Sequence, residues 1–470
     1  MIQTDILIIG AGIIGATIAR ECSKYDQTII VLDKNNEACQ ETSKANSGIV
    51  HAGYDPLPGS LKALLNLRGA ELYRELHEEL NIPYEPIGSL VLARSEDEKL
   101  RLNHLFLNGT ANGVSGLQLL DVEQTRKREP QVSDAVVASL YAPSAAIVCP
   151  FNATFAFLDN AVQNGASFYP RQPVQSVEKD GDRFLVRTPD ETYYAKILIN
   201  AAGVMTGDIA AMLGDTLEET FVRRGEYRVL DVSERIHYRH ILFQVPTPEG
   251  KGILVTPTVH GNVLLGPTSF TQDSRLDTSV TALGIERIDH QVNHTIRHVN
   301  FAKTIRLFSG LRSSSRSGDF DIRKGASGAI HLNAIDSPGL ASAPAIAEYV
   351  LEILKTDHDL KPKADFIRKR PGIHLFRDQP FDVQMELMRQ NPDYGDMVCR
   401  CEEITKADIV AAIHAGATTI GGVKRRARPG SGRCQGGFCE QRILRLLAEI
   451  RGEPIESIEK ERPGSWMVKP

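Results

Sequence analysis

The chain opens on a short apolar run that is followed by glycines and then by a helical pattern. Residues 4–9 (TDILII) are almost continuously apolar, which is typical of a short buried strand. GAGIIG follows, and ATIARECSKY then repeats apolar side chains at helical spacing. QTIIVLDK predicts a second strand that ends at Asp33. The order strand, glycine turn, helix and strand predicts an α/β fold at this end of the chain.

Two later stretches change the pattern. Residues 76–144 start within the helical pattern AELYRELHEEL and continue with GSLVLARS, which predicts a strand. Residues 221–304 are richer in alternating runs, namely GEYRVLDV, GILVTPTV and GNVLLGP, and HGN at 260–262 predicts a hairpin turn. We therefore expect these two stretches to form an interleaved α+β domain with an antiparallel sheet. A substrate pocket commonly lies between two domains, so this is the expected substrate domain.

The C-terminal part of the pattern is helical again. Residues 361–396 are polar with several prolines and predict a surface linker. Beyond them, ITKADIVAAIHAGA and EQRILRLLAEIRG predict two helices. Thr405 and Asp408 form a capping box at the start of the first helix, and the second ends at Gly452. A small helical domain is expected over residues 397–452, with a tail at 453–470.

Composition narrows the class of protein. With 470 residues the chain is too long for one ordinary core, which favours two or three domains. Hydrophobic residues make up 42% and charged residues 24%, as in ordinary globular proteins, and the formal net charge of −5 gives no case for nucleic-acid binding. No apolar run is long enough to span a membrane, and the glycine-broken start is not a signal peptide. A cytoplasmic location is the expectation.

The first motif predicts dinucleotide binding. Gly10, Gly12 and Gly15 form G-x-G-x-x-G between a predicted strand and a predicted helix, with the acidic Asp33 about 20 residues on. In this motif the first glycine permits the tight turn, the second lets the backbone approach a pyrophosphate, and the third lets the helix pack on the strand. The carboxylate accepts hydrogen bonds from ribose hydroxyls. The motif alone leaves FAD and NAD both open.

Four segments, in order along the chain, resemble one family. They are ETSKANSGIVHAGYDPLPGSLKALLNLRGAELYREL, NAAGVMTGDIA from Asn200, GLRSSSRSGDF from Gly310, and SPGLASAPAIAEYVLEIL from Ser337. Together they resemble the D-amino-acid-oxidase-like flavoproteins, in particular the glycerol-3-phosphate and L-2-hydroxyglutarate dehydrogenase branches. The resemblance covers residues 1 to about 360. That family more often has Glu where this chain has Asp33, and a shorter carboxylate still reaches a ribose hydroxyl.

The resemblance implies FAD as cofactor and a Rossmann-like domain that is discontinuous in sequence. It assigns residues 1–75, 145–220 and 305–360 to FAD binding, and residues 76–144 and 221–304 to the substrate domain. Sixteen residues are implied as cofactor contacts: Gly10, Gly12, Ile14, Gly15, Asp33, Lys34, Ser43, Asn46, Ser47, Gly48, Val174, Ala202, Gly203, Gly310, Gly339 and Leu340.

Four of the seven cysteines fall in one C-terminal window. Cys399 and Cys401 are spaced C-x-C, and Cys434 and Cys439 are spaced C-x4-C, with Cys439 at the start of a predicted helix. Four soft thiolates suit zinc or an iron–sulfur cluster, although structural zinc more often uses two C-x2-4-C pairs. VCRCEEIT and KRRARPGSGRCQGGFC resemble the bacterioferritin-associated-ferredoxin-like [2Fe-2S] domain. That resemblance implies a [2Fe-2S] cluster, with zinc as the alternative.

The basic run KRRAR, Lys424 to Arg428, precedes the second cysteine pair. It is either a solvated helix end or a set of cations beside a negatively charged cluster, where they would favour reduction and dock an acidic partner. The sequence leaves both interpretations open.

The resemblance also implies the catalytic residues. His51, within NSGIVHAG, is the candidate base or flavin-proximal hydrogen-bonding group, and Arg312 is the candidate anchor for a carboxylate or phosphate. Tyr227 and Lys251 are weaker substrate-binding candidates. A structural histidine, an internal salt bridge and residues merely on a sheet surface are the alternatives.

The expected activity follows from this resemblance. It is FAD-dependent oxidation of a small anionic hydroxy compound, glycerol 3-phosphate first, with electrons leaving through the [2Fe-2S] cluster. L-2-hydroxyglutarate or another 2-hydroxy acid is the second expectation, an amino acid or opine the third, and a non-catalytic redox protein the fourth. The expected acceptor is a partner subunit or a quinone-linked acceptor, and any membrane association would be peripheral, through that partner.

Overall fold

The computed structural model describes residues 1–246 and 252–469, so the predicted substrate-binding residue Lys251 lies outside the described residues. The strands, in chain order, are β1 (Ile2–Ile9), β2 (Ile29–Leu32), β3 (Ile49–Val50), β4 (Tyr84–Glu85), β5 (Ser89–Ala93), β6 (Gln118–Asp121), β7 (Ala138–Ala142), β8 (Ala146–Val148), β9 (Ser167–Tyr169), β10 (Ser176–Asp180), β11 (Arg183–Arg187), β12 (Thr192–Asn200), β13 (Thr220–Leu230), β14 (Ile241–Gln244), β15 (Val255–Pro257), β16 (Val263–Leu265), β17 (Phe270–Gln272), β18 (Thr304–Ser315), β19 (Asp321–Lys324), β20 (Ile330–Asn333), β21 (Met397–Cys399) and β22 (Ile404–Thr405).

The α-helices, in chain order, are α1 (Ile13–Cys22), α2 (Glu41–Lys44), α3 (Leu61–Glu79), α4 (Glu96–Ala111), α5 (Val122–Arg128), α6 (Pro150–Gln163), α7 (Thr206–Met212), α8 (Ala282–Gln291), α9 (Gly339–Lys355), α10 (Phe381–Gln390), α11 (Lys406–His414), α12 (Ile420–Ala427) and α13 (Glu440–Arg451). Short 3-10 turns cover Gly203–Met205, Val232–His237, Val292–His294, Phe301–Lys303, Phe376–Asp378, Pro392–Gly395 and Ile455–Ser457.

The first sheet confirms the Rossmann-like prediction. Its order is β10-β11-β12-β1-β2-β9, with β20 beside β12 and β19 beside β20, and strands β12, β1, β2 and β9 run parallel. Side chains alternate across β1, so Ile6 and Ile8 join the core under α1, α6 and α9, whereas Leu7 and Ile9 join the core on the opposite face. The glycine turn after β1 therefore lies at the carboxyl edge of a parallel sheet, where doubly wound folds bind ligands.

The second sheet is the larger one. Its order is β17-β13-β16-β15-β14-β5-β7-β6, with β18 on the other side of β13. Every pair is antiparallel except β5 with β14, which run parallel. Val91 and Ala93 face one core and Leu90 and Leu92 the other, so both faces of this sheet are covered. The predicted hairpin turn at 260–262 does join two antiparallel strands, β15 and β16.

The structure adds detail to three of the expected domain boundaries, which stay predictions. Residues 305–315, assigned from sequence to the FAD-binding part, form most of β18 and pair with β13 in the second sheet. The expected linker at 361–396 contains a ten-residue helix, α10, on the surface. In the expected tail at 453–470, Ile458 and Glu459 are buried, and Glu459 bridges to Trp466.

The C-terminal domain has a core of its own. Apolar side chains of α11, α12 and α13 pack together, among them Ile409, Val423, Ile443 and Leu447. The predicted capping box of Thr405 and Asp408 is present at the start of α11, and α13 ends at Gly452 in the left-handed region, as the sequence indicates. This small core carries the two cysteine pairs.

Candidate functional site

A deep cavity of about 1230 Å³ separates the first sheet from the second. Its volume exceeds the upper range of about 1,000 Å³ that is usual for drug-sized ligands, which fits a ligand as long as a dinucleotide. The lining comes from segments far apart in sequence, including residues 9–14, 40–51, 201–205, 312–319 and 335–340.

The glycine turn after β1 forms one end of the cavity, and its geometry leaves no room for side chains. Gly10 has φ +105°, and a Cβ there would lie 2.4 Å from the Ala201 carbonyl oxygen. A Cβ on Gly15 would lie 1.9 Å from the Gly10 carbonyl oxygen. Helix α1 therefore sits directly on the turn, with its N-terminus open to an anion, as the fingerprint requires.

Two polar side chains fix this end. The Ser43 hydroxyl oxygen accepts the backbone N–H of Ile13 at 2.8 Å, in the first turn of α1. Asp33 accepts the backbone N–H groups of Ala11 and Asn35, each at 2.8 Å. Burial raises the pKa of Asp33, and those N–H groups partly oppose the rise. The Asp33 carboxylate thus holds the turn while facing the cavity, where a ribose hydroxyl can reach it.

Fourteen of the sixteen predicted cofactor residues line this cavity, and Gly15 and Gly310 do not. Those two act through close packing instead. A Cβ on Gly310 would lie 2.1 Å from the Ala45 carbonyl oxygen, so β18 can pass against Ala45, the residue before Asn46, only because residue 310 has no side chain. A site of this kind, formed by backbone groups and by glycines that leave space, fits FAD.

His51, Arg312 and Tyr227 all line this same cavity. His51 follows β3, and its ring lies 5.6 Å from the Phe243 ring. The Arg312 Nη2 donates to the Thr268 carbonyl at 3.0 Å, and its Nε has no partner among the described residues. The structure thus brings these three predicted residues together.

Tyr227 is packed rather than merely placed on a sheet surface. Its ring stacks on Phe308 at 4.6 Å, and its hydroxyl lies 3.3 Å from the Ser47 hydroxyl. Burial raises the pKa of Tyr227, while the nearby Arg312 charge acts in the opposite direction. Tyr227 therefore stays a neutral hydroxyl on the cavity wall, between a predicted cofactor contact and the predicted anion anchor.

Sequence reasoning missed Arg223 and Gly225. Arg223 lies directly opposite Arg312 in the β13–β18 ladder, and both line the cavity. Gly225 provides the space for Arg312, because a Cβ there would lie 3.1 Å from the Arg312 Nη2. Two like charges opposite each other on a sheet destabilise it, so an anion bound in the cavity beside the pair would offset their repulsion. The signal was the alternation of Arg223, Gly225 and Tyr227 on one strand face.

The four predicted cysteines are brought together in the C-terminal domain. The Cys401 and Cys434 sulfurs lie 3.7 Å apart, and Cys399 accepts the backbone N–H of Gly430 at 3.4 Å. A hydrogen bond from the Cys439 thiol, assisted by backbone N–H groups, lowers the pKa of Cys399 to about 6. Cys439 itself is the N-cap residue of α13. Thiolates that accept backbone N–H groups are typical of iron–sulfur ligands.

The cysteine site fits a two-iron cluster. The thiols form two pairs, Cys399 with Cys439 and Cys401 with Cys434. Among residues 1–246 and 252–469, no three His, Cys, Asp or Glu side chains converge on a single ion position. A [2Fe-2S] cluster does not require such a group, because each iron takes two protein ligands.

One edge of the cysteine site faces solvent. Cys401 is exposed and Cys434 half-exposed, whereas Cys399 and Cys439 are buried. The Phe438 ring, between the second pair of cysteines, is 87% exposed.

The basic run is not a solvated helix end, so that interpretation is wrong. Arg425 is buried between Glu37 and Glu461, and Arg426 pairs with Asp159 and covers the Phe155 ring at 4.0 Å. These arginines attach α12 to the rest of the protein. The sequence could not show this, because their partners lie up to 388 residues away.

Lys424 and Arg428, at the two ends of the run, lie beside the cysteine loop. Lys424 Nζ donates to the Gly430 carbonyl at 2.8 Å, and Arg428 Nε donates to Glu402 at 3.0 Å. Burial, with Arg306 nearby, lowers the pKa of Lys424 to about 8. These two contacts support the alternative interpretation, cations beside a negative cluster.

The fold has two large sheets, a dinucleotide-binding turn and a cavity lined by candidate catalytic residues, and four cysteines form a separate site. Together these features define a flavin-dependent redox enzyme with a second, metal-based electron carrier. Residues 5–353 match the family model described as FAD dependent oxidoreductase, and the chain belongs to that family. Residues 397–449 match the model described as BFD-like [2Fe-2S] binding domain. FAD and a [2Fe-2S] cluster are therefore its two cofactors.

Three similar proteins agree with this. A glycerol 3-phosphate dehydrogenase of Caloramator mitchellensis is 39% identical over 469 residues, covering 99% of this chain and 98% of that one. An L-2-hydroxyglutarate dehydrogenase of Caenorhabditis briggsae is 31% identical and covers 56% of this chain and 63% of its own. The solved L-alpha-glycerophosphate oxidase of Mycoplasma pneumoniae, with FAD bound, has a TM-score of 0.75 and 31% identity and covers 79% of this chain and 99% of its own.

No helix within residues 1–246 and 252–469 combines the length and the apolar character that crossing a membrane requires.

Proposed function

We propose that the protein oxidises glycerol 3-phosphate to dihydroxyacetone phosphate. One observation carries the proposal: the cavity that holds the dinucleotide cradle also presents two guanidinium groups, Arg223 and Arg312, on neighbouring strands. The likeness to a glycerol 3-phosphate dehydrogenase over 99% of the chain supports the same substrate.

The arginine pair suits a phosphate better than a carboxylate. A guanidinium group binds phosphate oxygens through two parallel hydrogen bonds. A phosphate monoester carries up to two negative charges on a single group at neutral pH, which matches two neighbouring cations, whereas the two charges of 2-hydroxyglutarate lie on carboxylates at opposite ends of the molecule. Both arginines line the cavity wall, on directly opposed positions of neighbouring strands. Arg223 and Arg312 thus bind the charged end and orient the hydroxyl-bearing carbon.

His51 is the proposed base for the substrate hydroxyl. It lines the same cavity as Arg312 and follows the strand next to the flavin-contacting segment. Oxidation of a secondary alcohol removes two electrons and two protons, and the hydroxyl proton passes to the His51 ring. Bound FAD supplies the two-electron acceptor for the C–H bond, and the [2Fe-2S] cluster supplies a one-electron carrier. Tyr227 closes the wall on that side and excludes water.

The electron exit is the exposed edge of the cysteine site. Cys401 and the Phe438 ring are exposed, as are the cations Arg400 and Arg306, and Arg306 donates to Gln435 of the cysteine loop. This edge favours docking of an acidic electron-accepting partner, which is either a partner subunit or a quinone-linked acceptor. A cytoplasmic location is part of the proposal, supported by seven cysteines that are all free thiols.

The experiment is anaerobic titration of the purified holoenzyme, followed by its flavin absorption. We expect glycerol 3-phosphate to bleach the flavin within the turnover time, and L-2-hydroxyglutarate, lactate and amino acids to do so far more slowly. Faster bleaching by L-2-hydroxyglutarate would favour the second candidate, a 2-hydroxy-acid dehydrogenase, which the Caenorhabditis briggsae relative supports. No bleaching by any of them would contradict the proposal.

The role of His51 has its own test. His51→Ala should lower the rate of flavin reduction by glycerol 3-phosphate by about 10²–10⁴-fold without loss of FAD, as expected for removal of a general base. His104→Ala is the matched control, because His104 is exposed on α4 and does not line the cavity. A normal reduction rate in His51→Ala would remove this residue from the mechanism.

A further inference from the structure

Residues 36–44 connect the end of β2 to the predicted flavin-contacting residues Asn46 to Gly48. Gln40, Glu41 and Ser43 of this segment line the FAD cavity. The segment has little regular structure, since its one helical element is the four-residue α2. Backbone hydrogen bonds therefore do little to fix it, and side-chain contacts have to supply its order.

One anchor of this segment is Glu37, whose side chain is buried. A carboxylate oxygen of Glu37 accepts the backbone N–H groups of Thr418 at 2.7 Å and Thr419 at 2.8 Å. Thr419 is the N-cap residue of α12. Glu37 thus supplies negative charge at the N-terminus of a helix in the cluster-bearing domain, an arrangement that the helix dipole favours.

A second anchor is a chain of ion pairs. Arg425 of α12 donates to Glu37 at 3.0 Å and also pairs with Glu461. Glu461 accepts from Lys44 at 2.7 Å, and Lys44 also donates to Gln40 at 2.9 Å. Burial opposes ionisation of Glu461, yet the Arg425 and Lys44 charges outweigh it and lower the pKa of Glu461 to about 2. The chain of ion pairs thus connects two residues of the segment, Glu37 and Lys44, through Arg425 and Glu461.

Further contacts come from the C-terminal hairpin, which we define as residues 459–466. Glu459 accepts from Asn36 at 2.9 Å and from Arg171 at 2.6 Å. Arg462 lies 3.8 Å from Glu41. The segment is therefore held at four positions, Asn36, Glu37, Glu41 and Lys44, by residues that all follow position 417.

We propose that the C-terminal domain is a positioning element for FAD as well as the carrier of the cluster. Glu461 and Arg425 hold residues 36–44 in place. The segment in turn holds Ser43 against the first turn of α1 and sets the separation between Asp33 and Asn46 on the cavity wall. FAD binding and docking of the C-terminal domain are then coupled, and the coupling is reciprocal.

The experiment measures FAD affinity without substrate, so its outcome is independent of the proposed activity. Glu461→Gln removes the charge that links Arg425 to Lys44. We expect its FAD dissociation constant, followed by recovery of flavin fluorescence on dilution, to rise at least about fivefold, the lower end of usual coupling energies. The [2Fe-2S] absorption and circular dichroism should remain those of the wild type. Glu461→Asp, which keeps the charge, should recover part of the affinity.

The matched control is Lys460→Gln. Lys460 is the neighbouring residue in the hairpin, but its ion pair is with Glu440 of α13 and does not reach residues 36–44. The FAD affinity of Lys460→Gln should equal that of the wild type. Lys44→Met provides a second variant on the other side of the ion pair, should Glu461→Gln fail to fold. Wild-type FAD affinity in both Glu461→Gln and Lys44→Met, or an equal loss in Lys460→Gln, would overturn the proposal.

The reciprocal arm uses the wild-type protein only. Amide hydrogen exchange over residues 418–428 should become severalfold faster when FAD is removed, because the docking contacts of α12 weaken. Exchange over residues 440–451 of α13 serves as the internal reference and should stay unchanged. Identical exchange over residues 418–428 with and without FAD would contradict the coupling.

Discussion

The two cofactor sites of this protein are built in opposite ways. The FAD cavity takes its walls from residues 9 to 340, across two sheets, and depends on backbone groups that approach closely where glycine leaves room. The cysteine site takes its four thiols from residues 399 to 439, within one small domain where two are buried and two face solvent, and depends on side-chain sulfur. The first site is a product of tertiary structure and the second is nearly local, so each can be damaged without the other.

The strongest test of this difference is Gly15→Ala. The new Cβ would lie 1.9 Å from the Gly10 carbonyl oxygen, so α1 must move off the glycine turn. We expect the variant to lose nearly all bound FAD while it keeps its iron, measured as flavin and iron per chain. Gly207→Ala is the control, because a Cβ at that position meets nothing within 4 Å. Normal flavin content in Gly15→Ala would contradict the steric argument.

The converse variant is Cys439→Ser. Loss of one of four ligands should weaken cluster binding by more than the about 10- to 100-fold that outer contacts of a metal site contribute. FAD content and single-turnover flavin reduction should stay normal, while turnover with an external acceptor is lost. Cys22→Ala tests a buried thiol of the first core and should retain the cluster. If Cys439→Ser kept its iron–sulfur absorption, the ligand assignment would be wrong.

A smaller effect is expected from Arg312→Met, which removes one half of the anion anchor. Leaving Arg223 to bind the phosphate alone should cost about 2 kcal/mol or more, or at least about 30-fold in kcat/KM for glycerol 3-phosphate. The loss should appear mainly in KM, with FAD content unchanged. Arg316→Met is the matched control, since Arg316 is exposed and pairs with Glu219. Equal losses in both variants would exclude a specific anchor.

The smallest effect concerns pH and the join between the two regions. The pKa of Glu461 is about 2 in the folded protein against an ordinary value of 4.5. Its contribution to stability is therefore complete above about pH 4.5 and is lost as pH falls through about 2. The difference in Tm between wild type and Glu461→Gln should be constant above pH 5, at about 1 °C for each kcal/mol, and should shrink below pH 4.5. A difference that grew on acidification would contradict the ion-pair assignment.

Local chemistry is what the sequence predicted well. The glycine turn with Asp33, the capping box at Thr405 and the helix stop at Gly452 each depend on residues within a few positions or on one strand–turn–helix unit. The convergence of the four cysteines belongs to the same class, because they lie within one short domain, and their role as ligands stays a prediction. Short-range rules of sterics and capping are sufficient for all of these features.

Register and domain docking are what the sequence did not predict. Arg223 and Arg312 face each other only because β13 pairs with β18 in one particular register, and no local pattern sets that register. For the run KRRAR the sequence left a solvated helix end open as one of two interpretations, because Glu37, Asp159 and Glu461 are not its sequence neighbours. Lys251 stays a prediction, and the roles of His51 and Tyr227 depend on the substrate tests.

The attachment of α12 to Glu37 also has a consequence for how the protein is made. Glu37 and Thr418 are 381 residues apart in the chain. At synthesis rates of about 5–20 residues per second, the ribosome needs roughly 20–80 s to reach Thr418 after Glu37 has been added. Residues 36–44, at the FAD cavity, therefore lack these contacts until the last tenth of the chain has been synthesised. Flavin is then retained firmly only by a chain whose translation is nearly complete.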